Sequence, residues 1–329
     1  MREKETLLIS IKSLAGAIAL SCLTTIAHAQ MIELATNPQG TFFYAVGAAV
    51  AQVMQQKANL PTRVKAMSGS SAYAPLVNRG DIEFGLATSM DIGNAYMGIE
   101  GYQKNPDLRL VAVMFPLPLG IAVPNDSPVK SMKDLKGLRM ASQFTSQKSN
   151  KFATDALLAT GGLTIADIKG FPVSDYGKGM AALGEGKVDA AIFCLGCAAA
   201  QEANISLSAH GGLRFLQLSD TAETMAAIRK VLPSASTQVF QPSPAHTGVI
   251  VPTRLLVYSV FLVASTHTSD EVVYKTTKAI HESKAVLAAS AAVLKTFDPS
   301  MMVEANTVPY HPGAEKFYKE VGQWPPKKR

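Results

Sequence analysis

Three times in this chain a short apolar run ends in a polar loop of Gly, Ser and Thr and then restarts as a helix-like segment. The first is Ile32-Glu33-Leu34-Ala35-Thr36, followed by Asn37-Pro38-Gln39-Gly40-Thr41 and the uncharged residues 42–54. The second sets Ser68-Gly69-Ser70-Ser71 between residues 62–67 and 72–77. The third sets residues 142–149 between residues 138–141 and 150–159. Strands that alternate with helices in this way point to an α/β fold. The loops also constrain function. A helix N-terminus carries unpaired N–H groups and a partial positive charge, so it can hold an anion without a cationic side chain. Hydroxyls at the same place can cap the helix or bind a ligand. Three such loops suggest a small-anion site built mostly from backbone and hydroxyls.

The N-terminus reads as an export signal. Arg2 and Lys4 precede an apolar stretch over residues 14–26, and Ala27-His28-Ala29 fits a small-x-small cleavage site. The stretch is shorter than the ~20 residues a membrane span needs. Cleavage after Ala29 leaves 300 residues (329 minus 29), enough for two domains. Arg2, Lys4 and Lys12 against Glu3 and Glu5 give the leader +1, so the chain's +6 falls to +5 in the mature part. Some of that excess is the terminal Lys327-Lys328-Arg329. No other dense basic run with interleaved aromatics appears, which argues against nucleic-acid binding. Residues 255–265, the most apolar mature stretch, read as a buried strand.

An internal echo organises the chain. Gly80-Asp81-Ile82-Glu83-Phe84-Gly85-Leu86 resembles Gly186-Lys187-Val188-Asp189-Ala190-Ala191-Ile192. Each copy reads as a helix, a Gly cap and a short apolar strand. Two lobes that reuse this unit are expected. Pro116 and Pro118 mark an exit from lobe one, after which residues 119–123 begin a new strand. Pro242, Pro244, His246 and Gly248 mark the return. The boundaries are therefore 30–117 plus 249–329 for lobe one and 118–248 for lobe two, after the signal peptide 1–29. Helix-like residues 270–289 and 293–304 would pack back on lobe one. Two crossings make a hinge, with the ligand in the cleft between the lobes.

Several segments, in order, resemble one family. Gln39-Gly40-Thr41-Phe42-Phe43-Tyr44 and the Gly47 that follows are similar to the Gly-Gly-Thr-Tyr-Tyr-x-x-Gly start of TAXI-type solute-binding proteins, which serve TRAP (tripartite ATP-independent periplasmic) transporters. Ser68-Gly69-Ser70-Ser71 with Leu76-x-x-x-Gly80 resembles that family's Gly-Ser loop and helix. Lys133-Asp134-Leu135-Lys136-Gly137, residues 183–190, and Pro309-Tyr310-His311-Pro312-Gly313-Ala314 continue the match to the C-terminus.

The resemblance implies a type II periplasmic binding-protein fold and a receptor that hands its ligand to the membrane subunits of a TRAP transporter. Relatives bind small carboxylates such as glutamate, glutamine or 2-oxoglutarate. Carried over, it sets Thr41, Tyr44, Ser68, Gly69, Ser70, Ser71 and Ser89 around the ligand, together with Ser142, Thr145, Ser146 and Ser149 of the third loop. Each Ser has simple helix capping as its alternative. Phe42 and Phe43 fit core packing better than ligand contact. The chain departs from the family at Gln143-Phe144-Thr145-Ser146-Gln147-Lys148-Ser149, a bulkier loop in which Lys148 could pair with an acidic ligand or face solvent.

A second departure is Cys194-Leu195-Gly196-Cys197, with Cys194 and Gly196 placed at the ligand. The cysteines read first as small buried groups lining the cleft, second as a disulfide, and last as the redox pair of an exported thiol–disulfide oxidoreductase. Zinc lacks a second CxxC or His pair. No G-x-S-x-G, H-E-x-x-H or phosphate-binding loop occurs. The expectation is a non-enzyme without cofactor or metal.

Overall fold

The computed structural model describes residues 31–233 and 235–326. The expected signal peptide and Lys327-Lys328-Arg329 lie outside the described residues. The chain begins with β1 (Ile32–Thr36), α1 (Phe42–Ala58), β2 (Thr62–Ala66), α2 (Ser70–Asn78), β3 (Phe84–Thr88), α3 (Ser89–Met97) and the long strand β4 (Leu108–Pro124). It continues through β5 (Arg139–Gln143), α4 (Lys148–Ala159), β6 (Lys169–Val173), α5 (Tyr176–Gly184), β7 (Ala191–Cys194) and α6 (Ala198–Ser206). Next come β8 (Leu213–Phe215), α7 (Ala222–Val231), β9 (Ser236–Phe240) and the second long strand, β10 (Thr253–Ser265). Helices α8 (Asp270–His281), α9 (Lys284–Ser290) and α10 (Pro312–Glu320) complete it.

Strands β4 and β10 run antiparallel from Leu119↔Leu256 to Leu108↔Ser265. At one end β10 pairs with β3 through Val260–Val263, and β3 leads by parallel pairing to β1 and β2. At the other end β4 pairs with β7 and β8, while Thr253–Val257 of β10 pairs with β9. A parallel bridge from Ala190 to Met140 then leads to β5 and its parallel partner β6. Each end therefore has the same plan: three parallel strands beside one long antiparallel strand, β2-β1-β3-β10 and β6-β5-β7-β4. These are two α/β lobes, joined by the shared long ladder. The echo read in the sequence is the same unit in both. Gly80 (φ 75°) follows α2 before β3, and Gly186 (φ 69°) follows α5 before β7. Both turns are left-handed, where Gly meets no steric penalty.

Residues 255–265 form the buried strand expected of them, within β10. Residues 119–123, however, do not begin a new strand. β4 runs unbroken through Pro116 and Pro118, which pair with Ser259 and Val257. Proline is excluded from ladders because it lacks an N–H. Here the Pro118 carbonyl accepts from Leu195 N at 3.0 Å, so its backbone polar edge faces away from β10. Pro116, two residues earlier, faces the same way, past the end of β7. Neither missing donor interrupts the β4–β10 ladder.

A second correction concerns the C-terminal helices. Residues 270–289 break after His281 and restart at Lys284. Residues 293–304 hold only short 3-10 turns, Ala292–Thr296 and Pro299–Met301. Pro299 restricts Asp298 before it and stops any α-helix there. The C-terminal segment does pack on lobe one: Leu110 bridges Tyr310, and Tyr318 donates its hydroxyl to Val111 O at 2.8 Å. No helix of the described residues is long and apolar enough to cross a membrane.

His311 caps α10 by accepting from Gly313 N, and its other ring nitrogen meets the Thr268 carbonyl at 3.0 Å. Burial lowers its pKa below the usual imidazole range, as burial also does for His281. The unfolded chain takes up these protons near pH ~6.5 while the folded chain resists, so stability falls as pH drops below that value. His311→Asn, which keeps a capping side chain, is expected to flatten this dependence in urea unfolding between pH 7 and 5.5. An unchanged slope would assign the limb to other groups.

Candidate functional site

The helices that follow the Gly/Ser/Thr loops begin at one enclosed chamber between the lobes. Phe42 and Phe43 open α1, Ser70 opens α2, and Thr88 and Asp91 lie at the start of α3. From lobe two come Gln147, Ser149 and Asn150 at the start of α4, Tyr176 at the start of α5, and Cys194 at the end of β7. Leu117 and Leu119 of β4 and Tyr258 of β10 form the back wall. The free volume is about 20 Å³, room for about one water.

Side-chain caps occupy some of these helix starts and not others. Thr41, Thr88 and Asp175 accept from N–H groups of α1, α3 and α5. Gly69, Gln147 and Cys197, which precede α2, α4 and α6, make no side-chain capping bond. The N-termini of α2, α4 and α6 therefore keep their dipole and first N–H groups for an acceptor.

One of the lining groups is a carboxylate. Asp91 is 1 % exposed. It accepts from Ser70 Oγ at 2.5 Å, from Thr88 Oγ1 at 2.9 Å and from the Tyr102 hydroxyl. No Lys, Arg or His of the described residues lines the chamber. Tyr258, 3 % exposed, presents a hydroxyl with no hydrogen-bond partner. Burial, reinforced by the charge of Asp91, holds the Tyr258 and Tyr102 phenols above the ordinary range, so both are protonated donors. Tyr258 also borders a wider groove of about 800 Å³, lined by Ser89, Met90 and Met97 on one lobe and by Phe152 and Leu232 on the other.

Two contacts hold the lobes together over the chamber. Gly69 in the second loop lies so close to Ser146 in the third that a Cβ on it would stand 2.1 Å from the Ser146 carbonyl oxygen. Lys148, at the start of α4, donates to Gly101 O at 2.7 Å and lies 4.8 Å from the Tyr102 ring centre. It bridges the lobes and is committed there, not turned to solvent.

Of the residues expected at the ligand, Ser70, Ser149 and Cys194 line the chamber. Gly196 (φ 80°) stands behind it, against Phe42 and the Ala245 carbonyl. Ser71 lies outside the chamber lining, its buried hydroxyl beside that of Tyr102, and Ser89 lines the wider groove. Thr41 caps α1, and the Tyr44 hydroxyl accepts from Gln39 at 3.2 Å, both outside the chamber lining. Ser68 and Thr145 are exposed, and Ser142 lies in β5 facing Gly170. Ser146 contributes backbone, its N–H donating to Ser174 O at 2.9 Å. Phe42 and Phe43 pack edge-on against Phe115 as core residues, yet they also wall the chamber.

Asp91 and Tyr258 were missed by the sequence reading. Thr88-Ser89-Met90-Asp91 has the spacing of a helix start, a signal that could have drawn attention to Asp91. Nothing local marks Tyr258 inside an apolar strand. The cysteines differ from the first expectation: Cys194 and Cys197 form a disulfide and are not free thiols. Cys197 precedes α6, which presents the pair at bonding distance with Cα atoms 5.8 Å apart.

A model of the NMT1-like family matches residues 34–322. Among solved structures, PhnD1 from Prochlorococcus marinus in complex with methylphosphonate has a TM-score of 0.57 at 10% identity, covering 90% of this chain and 99% of that one. The binding-protein component of an ABC phosphonate transporter from Pseudomonas aeruginosa scores 0.55 at 11% identity, covering 80% and 78%. The amino acid ABC transporter substrate-binding protein AbpA from Streptococcus pneumoniae, bound to L-arginine, scores 0.51 at 12% identity, covering 80% and 94%. At these identities the likeness concerns the fold, which is the two-lobed α/β fold of periplasmic solute-binding proteins.

Two variants probe this arrangement. Gly69→Ala has extended backbone open to any residue, so its Cβ strains only the contacts with Ser146 and the Gln147 side chain in the other lobe. It is expected to leave the melting midpoint of the empty protein nearly unchanged while holding the lobes apart, which calorimetric titration would read as a more than tenfold loss of solute affinity. Cys194→Ala with Cys197→Ala opens a loop of four residues (Cys194 to Cys197 inclusive), whose closure stabilises by about 2 kcal/mol. Urea unfolding should show a loss of that order.

Proposed function

The chain belongs to the NMT1-like family, and from that premise we propose that it is an extracytoplasmic receptor whose lobes close on one small solute and deliver it to a membrane transporter. The observation that carries this reading is the Tyr258 hydroxyl, buried in the chamber and without a partner. Leaving such a group unpaired costs about 1–3 kcal/mol, which a ligand offering an acceptor would remove. The chamber's present volume admits about one water. A solute therefore enters when the lobes part, and closure replaces its water shell with fixed dipoles.

The ligand class we propose is a small organic acid, like glutamate, glutamine or 2-oxoglutarate. The uncapped starts of α2 and α4 support a carboxylate held by backbone N–H groups. Methylphosphonate and L-arginine in the neighbouring structures are also small ionised solutes. As site residues we propose Ser70, Ser149, Cys194 and Tyr258 at the ligand, with Gly69, Ser71, Ser146 and Gly196 shaping its walls. Thr41, Tyr44, Ser68, Ser89, Ser142 and Thr145 are left to caps, surface or groove.

The lobes are proposed to divide near 117–118, as the prolines suggest. The exchange of β10 partners, from β9 at Val257 to β3 at Val260, favours a second crossing at 258–259 over one at 248–249. The collinear sequence segments support TRAP membrane subunits as the partner and the periplasm as the location. An ABC permease is the alternative, since the named transporters among the fold neighbours are of that type. Thiol–disulfide exchange is disfavoured, because Cys194 and Cys197 are 3 % and 1 % exposed and a reactive pair needs access.

Thermal shift of residues 30–329 against small mono- and dicarboxylates and amino acids tests the reading. A ligand at a hundredfold excess over its Kd adds about 2.7 kcal/mol of stability. Tyr258→Phe is expected to weaken that ligand about three- to tenfold, the worth of one hydrogen bond. The empty protein should keep or slightly raise its melting midpoint, having lost an unpaired hydroxyl. No shift from any solute, after removal of co-purified ligand, would sink the receptor reading.

A further inference from the structure

Beyond the expected leader, which holds Cys22, the chain has two cysteines, and the structure joins them beside the chamber. Cys194 ends β7 and lines the chamber wall, whereas Cys197 precedes α6 and does not. The surroundings of the pair are otherwise packed. Met180 of α5, fully buried, sets its Sδ 3.9 Å from Cys197 Sγ. Leu195, buried between the cysteines, donates its N–H to Pro118 O at 3.0 Å. Gly196 is covered by the Ala245 carbonyl and by Phe42 of lobe one, which a Cβ on it would meet at 3.1 and 3.9 Å. The chamber, with room for about one water, admits no thiol reagent while the lobes are closed. Parting of the lobes opens the wall that Cys194 forms. Burial therefore argues against continuous thiol chemistry, and it makes exchange at this disulfide conditional on an open, empty chamber.

The two sulfurs differ in the same sense. Exchange begins when a thiolate attacks one sulfur and expels the other as a thiolate, which leaves faster the lower its pKa. Cys197 stands at the start of α6, where no side chain caps the helix and no acidic residue occupies the first turn. The free N–H groups and dipole there favour a thiolate on Cys197. Attack on Cys194 from the chamber thus expels the sulfur that the helix stabilises. Attack on Cys197 would have to pass Met180 and would expel Cys194 from the end of a strand, without that help.

We propose that Cys194–Cys197 is a thiol-exchange site gated by lobe closure, its reductant a dithiol that attacks Cys194 through the open, empty chamber. One thiolate of the dithiol bonds to Cys194 Sγ as the Cys194–Cys197 bond breaks, and Cys197 leaves as a thiolate and takes up a proton. The second thiol of the reductant, giving up its proton, attacks the reductant's own sulfur in the mixed disulfide and releases Cys194, which takes up a proton. The dithiol is oxidised to a disulfide by two electrons, and the protein gains two thiols. A solute in the closed chamber spares the bond, so the redox state of the pair records whether the receptor has stood empty. The gate rests on the receptor reading; the choice of sulfur does not.

Two measurements on residues 30–329, with the disulfide intact, test this. In the first, excess glutathione, a monothiol, reacts briefly with the folded chain, iodoacetamide caps the expelled thiol, and peptide masses locate each group. Glutathione is expected on Cys194 at least tenfold over Cys197. An adduct shared equally, or mainly on Cys197, overturns the proposal whatever the solute. In the second, dithiothreitol reduces the chain with and without L-glutamate, L-glutamine or 2-oxoglutarate, each probe's effect on the melting midpoint being recorded in parallel. A probe at tenfold excess over its Kd leaves about one chain in eleven empty, so one that raises the midpoint should slow reduction about tenfold. A raised midpoint with an unchanged rate overturns the gate and leaves the receptor standing. No reduction of the empty folded chain, where the urea-unfolded chain is reduced, also overturns the proposal. If none of the three probes raises the midpoint, the receptor reading loses these ligands, and the site of the glutathione adduct decides the proposal alone.

Discussion

Everything in this fold hangs on one antiparallel ladder, β4 against β10. Its two ends lie in different lobes, and each end recruits its own set of three parallel strands. Parallel strands need crossover helices, and crossovers place the helix starts at the carboxyl ends of the strands. Both lobes obey that rule, so both aim helix N-termini at the gap between them. The chamber follows from the topology before any particular side chain is considered. The irregular register at Val260/Phe261 and Leu262/Val263 adds a bend to the same strand that carries Tyr258.

The chamber then poses an electrostatic problem. Burying a carboxylate without a cation is costly unless donors surround it. Asp91 is met by hydroxyls from α2, from the N-cap of α3 and from Tyr102, together with the dipole of α3 itself. Those donors tie three separate segments of lobe one to a single charge. Lys148 then reaches from lobe two onto Gly101 and the face of Tyr102, so closure and the Asp91 cluster share one aromatic ring.

Much of this was legible in the sequence because it is written locally. Ser70 and Ser149 stand in loops whose composition already signals a helix start, and the Gly80 and Gly186 turns repeat the same cap. The collinear segments that resemble known receptors pointed to the correct architecture. What was not legible depends on contacts between distant residues. Pro116 and Pro118 look like breakers, and only the position of β7 shows that their missing donors lie on the edge turned away from β10. Thr41 and Tyr44 fit a family motif, yet the turn of α1 directs them away from the chamber. Asp91 reads as an ordinary first-turn acid until Ser70 and Tyr102 close over it. The cysteines could be ranked only by habit, since a four-residue loop is compatible with either free thiols or a bond.

The central claim is that two lobes close over the chamber around a solute, and small-angle scattering tests it most directly. A compact chain of about 300 residues has a radius of gyration of about 19 Å. The account expects the chain, stripped of solute by unfolding and refolding, to give a larger radius and to contract toward that value in a mixture of amino acids. Superimposable profiles with and without the mixture, both at the compact value, would contradict it.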